Sequence, residues 1–292
     1  MHYGYFDDLH KEYVITDPCT PVKWINYIGS LAFGGFIDHT GGALLCKGDP
    51  ALNRITKYIT QLPASDFRGE TLYLRLREGG GYRLISPFYV PGLTPLTRFE
   101  CRVGLGYSRW VTEVAGLRTE ATIFVPSEES LEVRWVQVTN LGEQPVRVDA
   151  VPLVEYTHFD ALKQLTNADW VPQTMQSRAV REPGGLVTLL QYAFMRKDSA
   201  INFFTSNLAA TSFETDRRLF LGQNEYGTWA QPLGLTSGEL PCSEATRGDN
   251  IAALLLPLGD LQPGETRAFV TLLGQSASLE IAQSAIHKYR QI

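Results

Sequence analysis

The sequence predicts an all-β fold, a large antiparallel β-sandwich followed by a single helix. Apolar residues alternate with polar ones through many short runs, and Gly, Pro and Asn turns separate these runs. A helical period occurs only at the end of the chain. Many strands without helices between them favour packed antiparallel sheets over a parallel α/β fold. The 292 residues suffice for one large all-β domain or two smaller ones.

Period-two runs give the first strands. Leucine occupies every second position of 71–76, and aliphatic residues alternate in 121–125, so each run should line one buried face of a sheet. In 131–138 the apolar residues change face midway, which indicates either a β-bulge or a strand covered on both sides. The turn sequence at 140–145 is followed by a new alternation, and we therefore predict a β-hairpin over 131–154.

Turn and helix signals give the remaining elements. The glycines at 79–81 stand between two strand patterns and predict a hairpin tip, and Pro263 with Gly264 predicts a turn that leads into a strand over 268–273. The one helix is predicted after Ser278, a capping residue, because apolar residues recur there at i, i+3, i+7 and i+10. Its apolar stripe should pack on the sandwich, on another subunit or on a further domain.

Composition and charge argue against several classes of partner. The chain carries 26 basic and 31 acidic residues, a net charge of -5, and neither kind is clustered, so nucleic acid and anionic membranes are not expected partners. Asp7 and Asp8 lie where a signal peptide needs basic and apolar residues. The longest aliphatic run, 251–256, is far shorter than the ~20 residues that span a bilayer. We expect a cytoplasmic protein with no membrane contact.

The cysteines favour a reducing compartment. They lie far apart and form no C-x-x-C pair: Cys19, Cys46, Cys101 and Cys242. The spacing suggests neither a zinc site nor a disulfide framework, and reduced thiols are expected.

A series of short motifs extends in order over most of the chain. They are YGYFDD at 3–8, EYVIT at 12–16, WINY at 24–27, GG at 34–35, DP at 49–50, NRITK at 53–57, LYLR at 72–75, SP at 86–87, FECR at 99–102, GLGY at 104–107, FVP at 124–126, VTN at 138–140, VE at 154–155, FLG at 220–222, LQPGE at 261–265 and LG at 273–274. Their joint order resembles the N-terminal part of glycoside hydrolase family 94, of glycosyltransferase family 36 type, which contains the inverting cellobiose and chitobiose phosphorylases.

The resemblance implies a galactose mutarotase-like β supersandwich over residues 1–274. Residues 275–292 would begin a helical linker to an (α/α)6 catalytic barrel that is missing from this chain. In such enzymes the barrel carries a single catalytic Asp, inorganic phosphate attacks the anomeric carbon, and the subunits form a cytoplasmic homodimer. The implied function is that of the non-catalytic N-terminal domain of an inverting phosphorylase, which converts a β-linked gluco-disaccharide or oligosaccharide to a sugar 1-phosphate. Inorganic phosphate is its co-substrate, and no other cofactor, metal or catalytic residue is assigned to this chain.

The chemistry of the residues agrees with a missing catalytic part. Inverting cleavage requires a carboxylic acid for the leaving oxygen and a nucleophile on the opposite face of the sugar. Phosphate as the nucleophile also requires a cradle of Arg, Lys, His or helix N-termini. No glycine-rich phosphate loop stands between a predicted strand and a predicted helix. We predict that the chain alone is catalytically inactive.

The candidate substrate-binding residues lie in the segment 155–175 and are Asn167, Asp169, Trp170 and Gln173. In the family, the corresponding segment lies at the dimer interface and helps to wall the active site. A Trp ring packs on the C–H face of a pyranose, and amide and carboxylate groups bond its hydroxyls. The alternative is a segment that only contacts the second subunit, with the Trp as an anchor.

Other polar residues have simpler explanations. Strand alternation would place Tyr156, His158 and Asp160 on one face, which suggests proton transfer or part of a metal site, but a hydrogen-bonded interface histidine is favoured. Arg102 and Arg109 are possible phosphate ligands, but solvent-facing or sheet-pairing arginines are favoured.

The exact substrate and the function class stay open in part. Aliphatic residues at 43–47 and Val103 replace polar or aromatic residues of the family pattern, so the disaccharide is not assigned. A free-standing carbohydrate-binding or assembly module is the first alternative function. An aldose mutarotase-like isomerase is a distant second, and it would need a His and a Glu on one sugar, drawn from His39, His158 and Glu155.

Overall fold

The structure, a computed structural model, describes residues 2–157, 170–194, 200–222, 224 and 226–291. In chain order the described strands are β1 (Gly4–Asp7), β2 (Glu12–Ile15), β3 (Ile25–Gly29), β4 (Gly34–Asp38), β5 (Ala43–Cys46), β6 (Glu70–Glu78), β7 (Gly81–Ile85), β8 (Arg98–Gly104), β9 (Tyr107–Val114), β10 (Leu117–Phe124), β11 (Leu131–Asn140), β12 (Val146–Glu155), β13 (Met175–Arg181), β14 (Val187–Ala193), β15 (Ile201–Ser206), β16 (Ser212–Asp216), β17 (Asn250–Leu261) and β18 (Thr266–Ser276). The described α-helices are α1 (Arg217–Leu221) and α2 (Leu279–Tyr289).

The strands build three antiparallel sheets. The largest has ten strands in the order β1-β2-β8-β9-β10-β11-β18-β15-β14-β13. The second has five in the order β16-β17-β12-β6-β7, and the third contains β3, β4 and β5. Side chains of the two large sheets share one apolar core, which includes Trp110 and Ile123 from one sheet and Leu74 and Leu254 from the other. The predicted large antiparallel β-sandwich is confirmed.

Both faces of β6 and β12, within the five-stranded sheet, are buried over most of their length. The leucines of β6 join the core between the sheets. On the opposite face Tyr73 packs beside Phe220 of α1, with 6.3 Å between the ring centroids. The prediction that 71–76 lines a single buried face is therefore incomplete, because Phe220, Leu221, Leu235 and Leu240, which follow no period-two pattern, cover the second face.

The predicted hairpin over 131–154 is wrong. Strand β11 pairs with β10 and β18 in the ten-stranded sheet, whereas β12 pairs with β6 and β17 in the five-stranded sheet. The turn between them is a corner that crosses from one sheet to the other. The side chain of Asn140 fixes this corner, because its Nδ2 donates to the carbonyls of Gln144 at 2.8 Å and Leu261 at 2.9 Å. A period-two pattern identifies strands but does not name their partners.

The apolar residues of β11 change face because the strand is covered on both sides, and not because of a β-bulge. The register with β18 runs without a bulge from Leu131 to Thr139. Leu131 and Val133 pack beneath α2, whereas Val136 and Val138 point into the core between the sheets. The first half of the strand is thus covered on both sides.

A buried arginine joins all three sheets. Arg134 of β11 lies within 2.5 Å of Glu132 on the same strand and 3.0 Å of Glu70 on β6. Its Nη1 donates to the carbonyl of Gly41, in the turn between β4 and β5, at 2.9 Å. Burial raises the pKa of Glu70 well above its ordinary value.

The predicted C-terminal helix is present as α2. The Ser278 hydroxyl accepts the amide of Ile281 and so caps the helix. Ala282 and Ile286 are buried against the ten-stranded sheet, so the partner of the apolar stripe is the sandwich itself. Arg290 holds the far end of the helix with two bonds to the Glu182 carboxylate, at 2.8 and 2.9 Å.

Smaller predictions can also be compared with the structure. β6 and β7 form the hairpin expected around 79–81, with Glu78 opposite Gly81 and Gly79 at a φ of +56°. All four cysteines are free. Among the described residues, neither helix has the length and apolar character needed to cross a membrane.

Candidate functional site

The two ends of the segment predicted to contact sugar meet at one place. Thr157 and Pro172 both border Gly248 and Asp249, and the amide of Gly248 donates to the carbonyl of Pro172 at 2.9 Å. Glu155 is the last residue of β12. The site predictions on Asn167 and Asp169, and the alternatives on His158 and Asp160, lie outside the described residues.

Trp170 precedes a short 3-10 turn, Pro172–Thr174, and Gln173 lies within it. The amide of Gln173 donates to the Trp170 carbonyl at 3.1 Å, and Val171 between them is fully buried and anchors the turn. The Trp170 side chain is 62% exposed. Trp170 is therefore available for contact, and Gln173 lines a cavity next to the turn.

This cavity has a volume of about 560 Å³ and lies between three pieces of chain: 172–173, 216–219 and 243–249. We call it the edge cavity. Its outer wall, 243–249, runs beside the edge strands of both large sheets. The amide of Ser177 on β13 donates to the Ala245 carbonyl at 2.8 Å, and the amide of Ala245 donates to the Thr215 hydroxyl on β16 at 2.8 Å. The wall is thus fixed to both layers of the sandwich.

Carboxylates of the edge cavity are held by backbone amides. Asp216 caps α1, and its Oδ1 accepts the amides of Arg218 at 2.7 Å and Leu219 at 3.3 Å. The Oε1 of Glu244 accepts the amide of Ala179 at 3.1 Å. These bonds fix the orientation of both carboxylates.

A charged cluster adjoins the edge cavity through Asp249. The Oε1 of Glu155 lies 3.1 Å from Lys57 Nζ and 3.2 Å from Arg217 Nε. Lys57 Nζ lies 4.0 Å from the Oδ1 of Asp249, a residue of the cavity wall. The Arg217 guanidinium lies over the ring of Trp229, 5.4 Å from its centroid. We call Glu155, Lys57, Arg217 and Asp249 the base cluster. It connects the end of β12 to the cavity wall.

Arg102 and Arg109 are sheet-pairing arginines, as favoured. The Nη1 of Arg102 lies 3.0 Å from Asp7 and 3.1 Å from Glu12. Arg109 lies 3.7 Å from the same Glu12. The hydrogen bond from His10, aided by Arg102, lowers the pKa of Asp7 to about 2. These arginines are engaged with carboxylates and do not form a phosphate cradle.

The residues suggested for an isomerase do not offer an accessible histidine in the described part of the chain. His39 is buried, and burial lowers its pKa. Its Nδ1 accepts the amide of Trp24 at 3.2 Å, and its Nε2 contacts the carbonyl of Pro18 at 2.9 Å. The described residues also contain no group of three His, Cys, Asp or Glu side chains able to hold a metal ion.

Comparison with known proteins identifies the family. The sequence model of the glycosyl hydrolase 94 supersandwich domain matches residues 11–292. The chain belongs to the glycosyl hydrolase 94 family. The resemblance seen in the order of the motifs is thereby confirmed.

Relatives in the glycosyl hydrolase 94 family act on different sugars. An N,N'-diacetylchitobiose phosphorylase of Vibrio furnissii is 31% identical over 277 residues, which are 94% of this chain and 33% of that protein. A solabiose phosphorylase of Paenibacillus borealis is 26% identical over 296 residues, 98% of this chain and 36% of that protein. The chain thus spans about a third of the length of these relatives.

A solved structure shows the same fold. The galactose mutarotase related enzyme of Lactobacillus acidophilus superposes with a TM-score of 0.50, over 87% of this chain and 97% of that chain. The two sequences share 7% identity, so the likeness concerns the fold alone. It agrees with the galactose mutarotase-like supersandwich that the motifs implied.

Several residues of the edge cavity were not predicted from the sequence. Asp216, Glu244 and Arg247 lie far along the chain from 155–175, and the wall 243–249 follows no strand or helix period. The only sequence signal at Asp216 is a capping residue before a short apolar run. No local pattern indicated that these residues share a cavity with Gln173.

Proposed function

We propose that the chain is the N-terminal, non-catalytic domain of an inverting β-glycoside phosphorylase. The whole enzyme splits a β-linked gluco-disaccharide or oligosaccharide with inorganic phosphate and releases a sugar 1-phosphate. The observation that carries the proposal is the match of the supersandwich domain over residues 11–292. Phosphorylases similar to nearly the whole chain support it. Catalysis is assigned to an (α/α)6 barrel outside this chain, in the same polypeptide or a separate one.

The domain contributes contacts to the sugar and to a second subunit of a cytoplasmic homodimer. Trp170, with its exposed ring, supplies a surface for the C–H face of a pyranose, and Gln173 supplies amide bonds to hydroxyls. Asn167 and Asp169 belong to the same proposed contact segment. The exposure of Trp170 supports sugar contact and subunit contact equally, and both are part of the proposal.

A chimera tests the proposal. The matching first third of the Vibrio furnissii phosphorylase is replaced by this chain, and phosphate-dependent release of sugar 1-phosphate from N,N'-diacetylchitobiose is measured. We expect the chimera to be active and the 292-residue chain alone to be inactive. In the chimera, Trp170→Ala should lower kcat/KM about tenfold, the equivalent of ~1.4 kcal/mol.

The control variant is Tyr226→Ala, which removes another exposed aromatic ring outside the edge cavity and should leave kcat/KM unchanged. A folded chimera without activity would contradict the assignment of the domain. Turnover by the chain alone would contradict the assignment of catalysis to a barrel.

A free-standing carbohydrate-binding module is the second candidate function. The observation that favours it is that Gln173, the edge cavity and the exposed Trp170 are all supplied by this chain. Sugar binding by the chain, combined with an inactive chimera, is the result expected of such a module.

A further inference from the structure

Most polar groups in the walls of the edge cavity lie outside the predicted contact segment 155–175. Residues 216–219 and 243–249 form most of the lining, and Gln173 is the member shared with the predicted contact residues. The volume of about 560 Å³ lies within the roughly 300–1,000 Å³ typical of small-ligand pockets. The cavity is thus large enough to receive a ligand of the size of a sugar unit or two.

The hydrogen-bonding groups of the lining suit a polyhydroxylated ligand. Carboxylates of Asp216, Glu244 and Asp249 accept bonds, and the Gln173 amide and the Arg247 guanidinium donate them. One oxygen of Asp216 and one of Glu244 are held by backbone amides. These bonds orient the two acceptors before a ligand binds. Pro172 and Leu219 add apolar surface for the C–H face of a ring.

The charges of the lining disfavour an anion. Three carboxylates, of Asp216, Glu244 and Asp249, stand against two guanidinium groups, of Arg218 and Arg247. The N-terminus of α1 borders the cavity, but the Asp216 side chain already accepts its first free amides. The lining thus has one more negative than positive group, which favours a neutral ligand over a phosphate or a sugar carboxylate.

We propose that the edge cavity is a binding site for a neutral β-linked glycan, with Glu244 and Arg247 as its specificity-determining side chains. The ligand class rests on the proposed function, since the family supplies the expectation of a β-linked sugar. The location and the preference for a neutral ligand rest on the lining alone. The site belongs to the supersandwich and does not need the barrel.

Calorimetric titration of the chain tests this inference. The probes are cellobiose and N,N'-diacetylchitobiose as neutral sugars, with inorganic phosphate and a glucuronic-acid disaccharide as anions. We expect at least one neutral probe to bind at least about tenfold more tightly than either anion. Glu244→Gln should weaken its binding about fivefold, because a charge-assisted bond becomes a neutral one while the acceptor for Ala179 is kept. Arg247→Ala should weaken it about tenfold.

Arg267→Ala is the matched control, because Arg267 is exposed and pairs with Glu265 in a turn outside the cavity lining. Three results would overturn the inference: no binding of either neutral probe, equal binding of an anion, or unchanged binding in both cavity variants. Loss of binding in Trp170→Ala with unchanged binding in Glu244→Gln and Arg247→Ala would reject the cavity and retain the sugar contact of the proposed function. Inactivity of the chimera, with the cavity variants impaired as expected, would reject the phosphorylase assignment alone.

Discussion

Two groups of arginine and carboxylate side chains in this molecule contain the same chemistry in different surroundings. Arg134 with Glu70 and Glu132 is fully buried and joins the three sheets. The base cluster around Glu155 includes the partly exposed Lys57 and Arg217 and adjoins an open cavity. A buried group without its partner is strongly unfavourable, whereas an exposed one can exchange its partner for water or a ligand. Solvent access, and not residue type, therefore separates a structural cluster from a candidate binding surface.

The largest effect is expected from Arg134→Met. This change leaves Glu70 and Glu132 buried without their cation, and it should lower the free energy of unfolding by about 3–5 kcal/mol. Urea unfolding measures the loss. Arg267→Met, at a position that is 53% exposed, is the control and should change stability by less than about 0.5 kcal/mol. A loss below about 1 kcal/mol in the Arg134 variant would remove the distinction between the two clusters.

An intermediate effect is expected from Arg290→Ala, which breaks the partly exposed pair with Glu182 at the end of α2. Water screens part of this pair, so the expected loss at neutral pH is about 1–2 kcal/mol. The bond from Arg290 lowers the pKa of Glu182. A carboxyl group whose pKa is lower in the folded state stabilises the fold above its unfolded pKa, and this contribution disappears as the pH falls.

The pH dependence of stability tests whether Arg290 acts through its ion pair with Glu182. Unfolding of the parent and of Arg290→Ala is compared from pH 7 down to pH 3. The difference in stability between them should shrink as the pH falls through the folded pKa of Glu182. A difference that stays constant over this range would mean that Arg290 acts through packing and its bonds to Thr188 and Thr205, and not through its pairing with Glu182.

The smallest effect on stability is expected from Trp170→Ala. Because the ring is largely exposed, the free energy of unfolding should change by less than about 0.5 kcal/mol. Trp110→Ala, at a fully buried position, is the comparison and should cost about 3–5 kcal/mol. A large loss in the Trp170 variant would identify this ring as part of the packed structure and weaken its proposed role in sugar contact.

The sequence predicted the features that depend on neighbours along the chain. The alternation in β10, the glycine hairpin tip and the Ser278 cap of α2 are local, and all three are present. The sheets that β11 and β12 join could not be predicted in the same way. Which sheet a strand joins depends on pairings with residues far along the chain.

Only one residue of the edge cavity belongs to the predicted contact residues. Gln173 was predicted to bind substrate because it lies in the segment after the VE motif, and the structure places it in the cavity lining. Glu244 and Arg247 were missed because their segment is irregular, and its position depends on backbone bonds to strands on two sheets. The buried pairing of Arg134 was missed because a charged residue within a strand pattern is ordinarily taken to face solvent.

The wall 243–249, with Cys242 before it, also covers one edge strand of each large sheet, β13 and β16. The amide of Ser177 on β13 donates to the Ala245 carbonyl, and the amide of Cys242 donates to the Phe213 carbonyl on β16. Uncovered edge strands invite pairing with other chains and aggregation. The backbone of 242–249 must therefore keep this path for the two edge strands to stay covered, whereas its side chains can vary. Relatives that differ in substrate are expected to differ here by substitution and not by insertion or deletion.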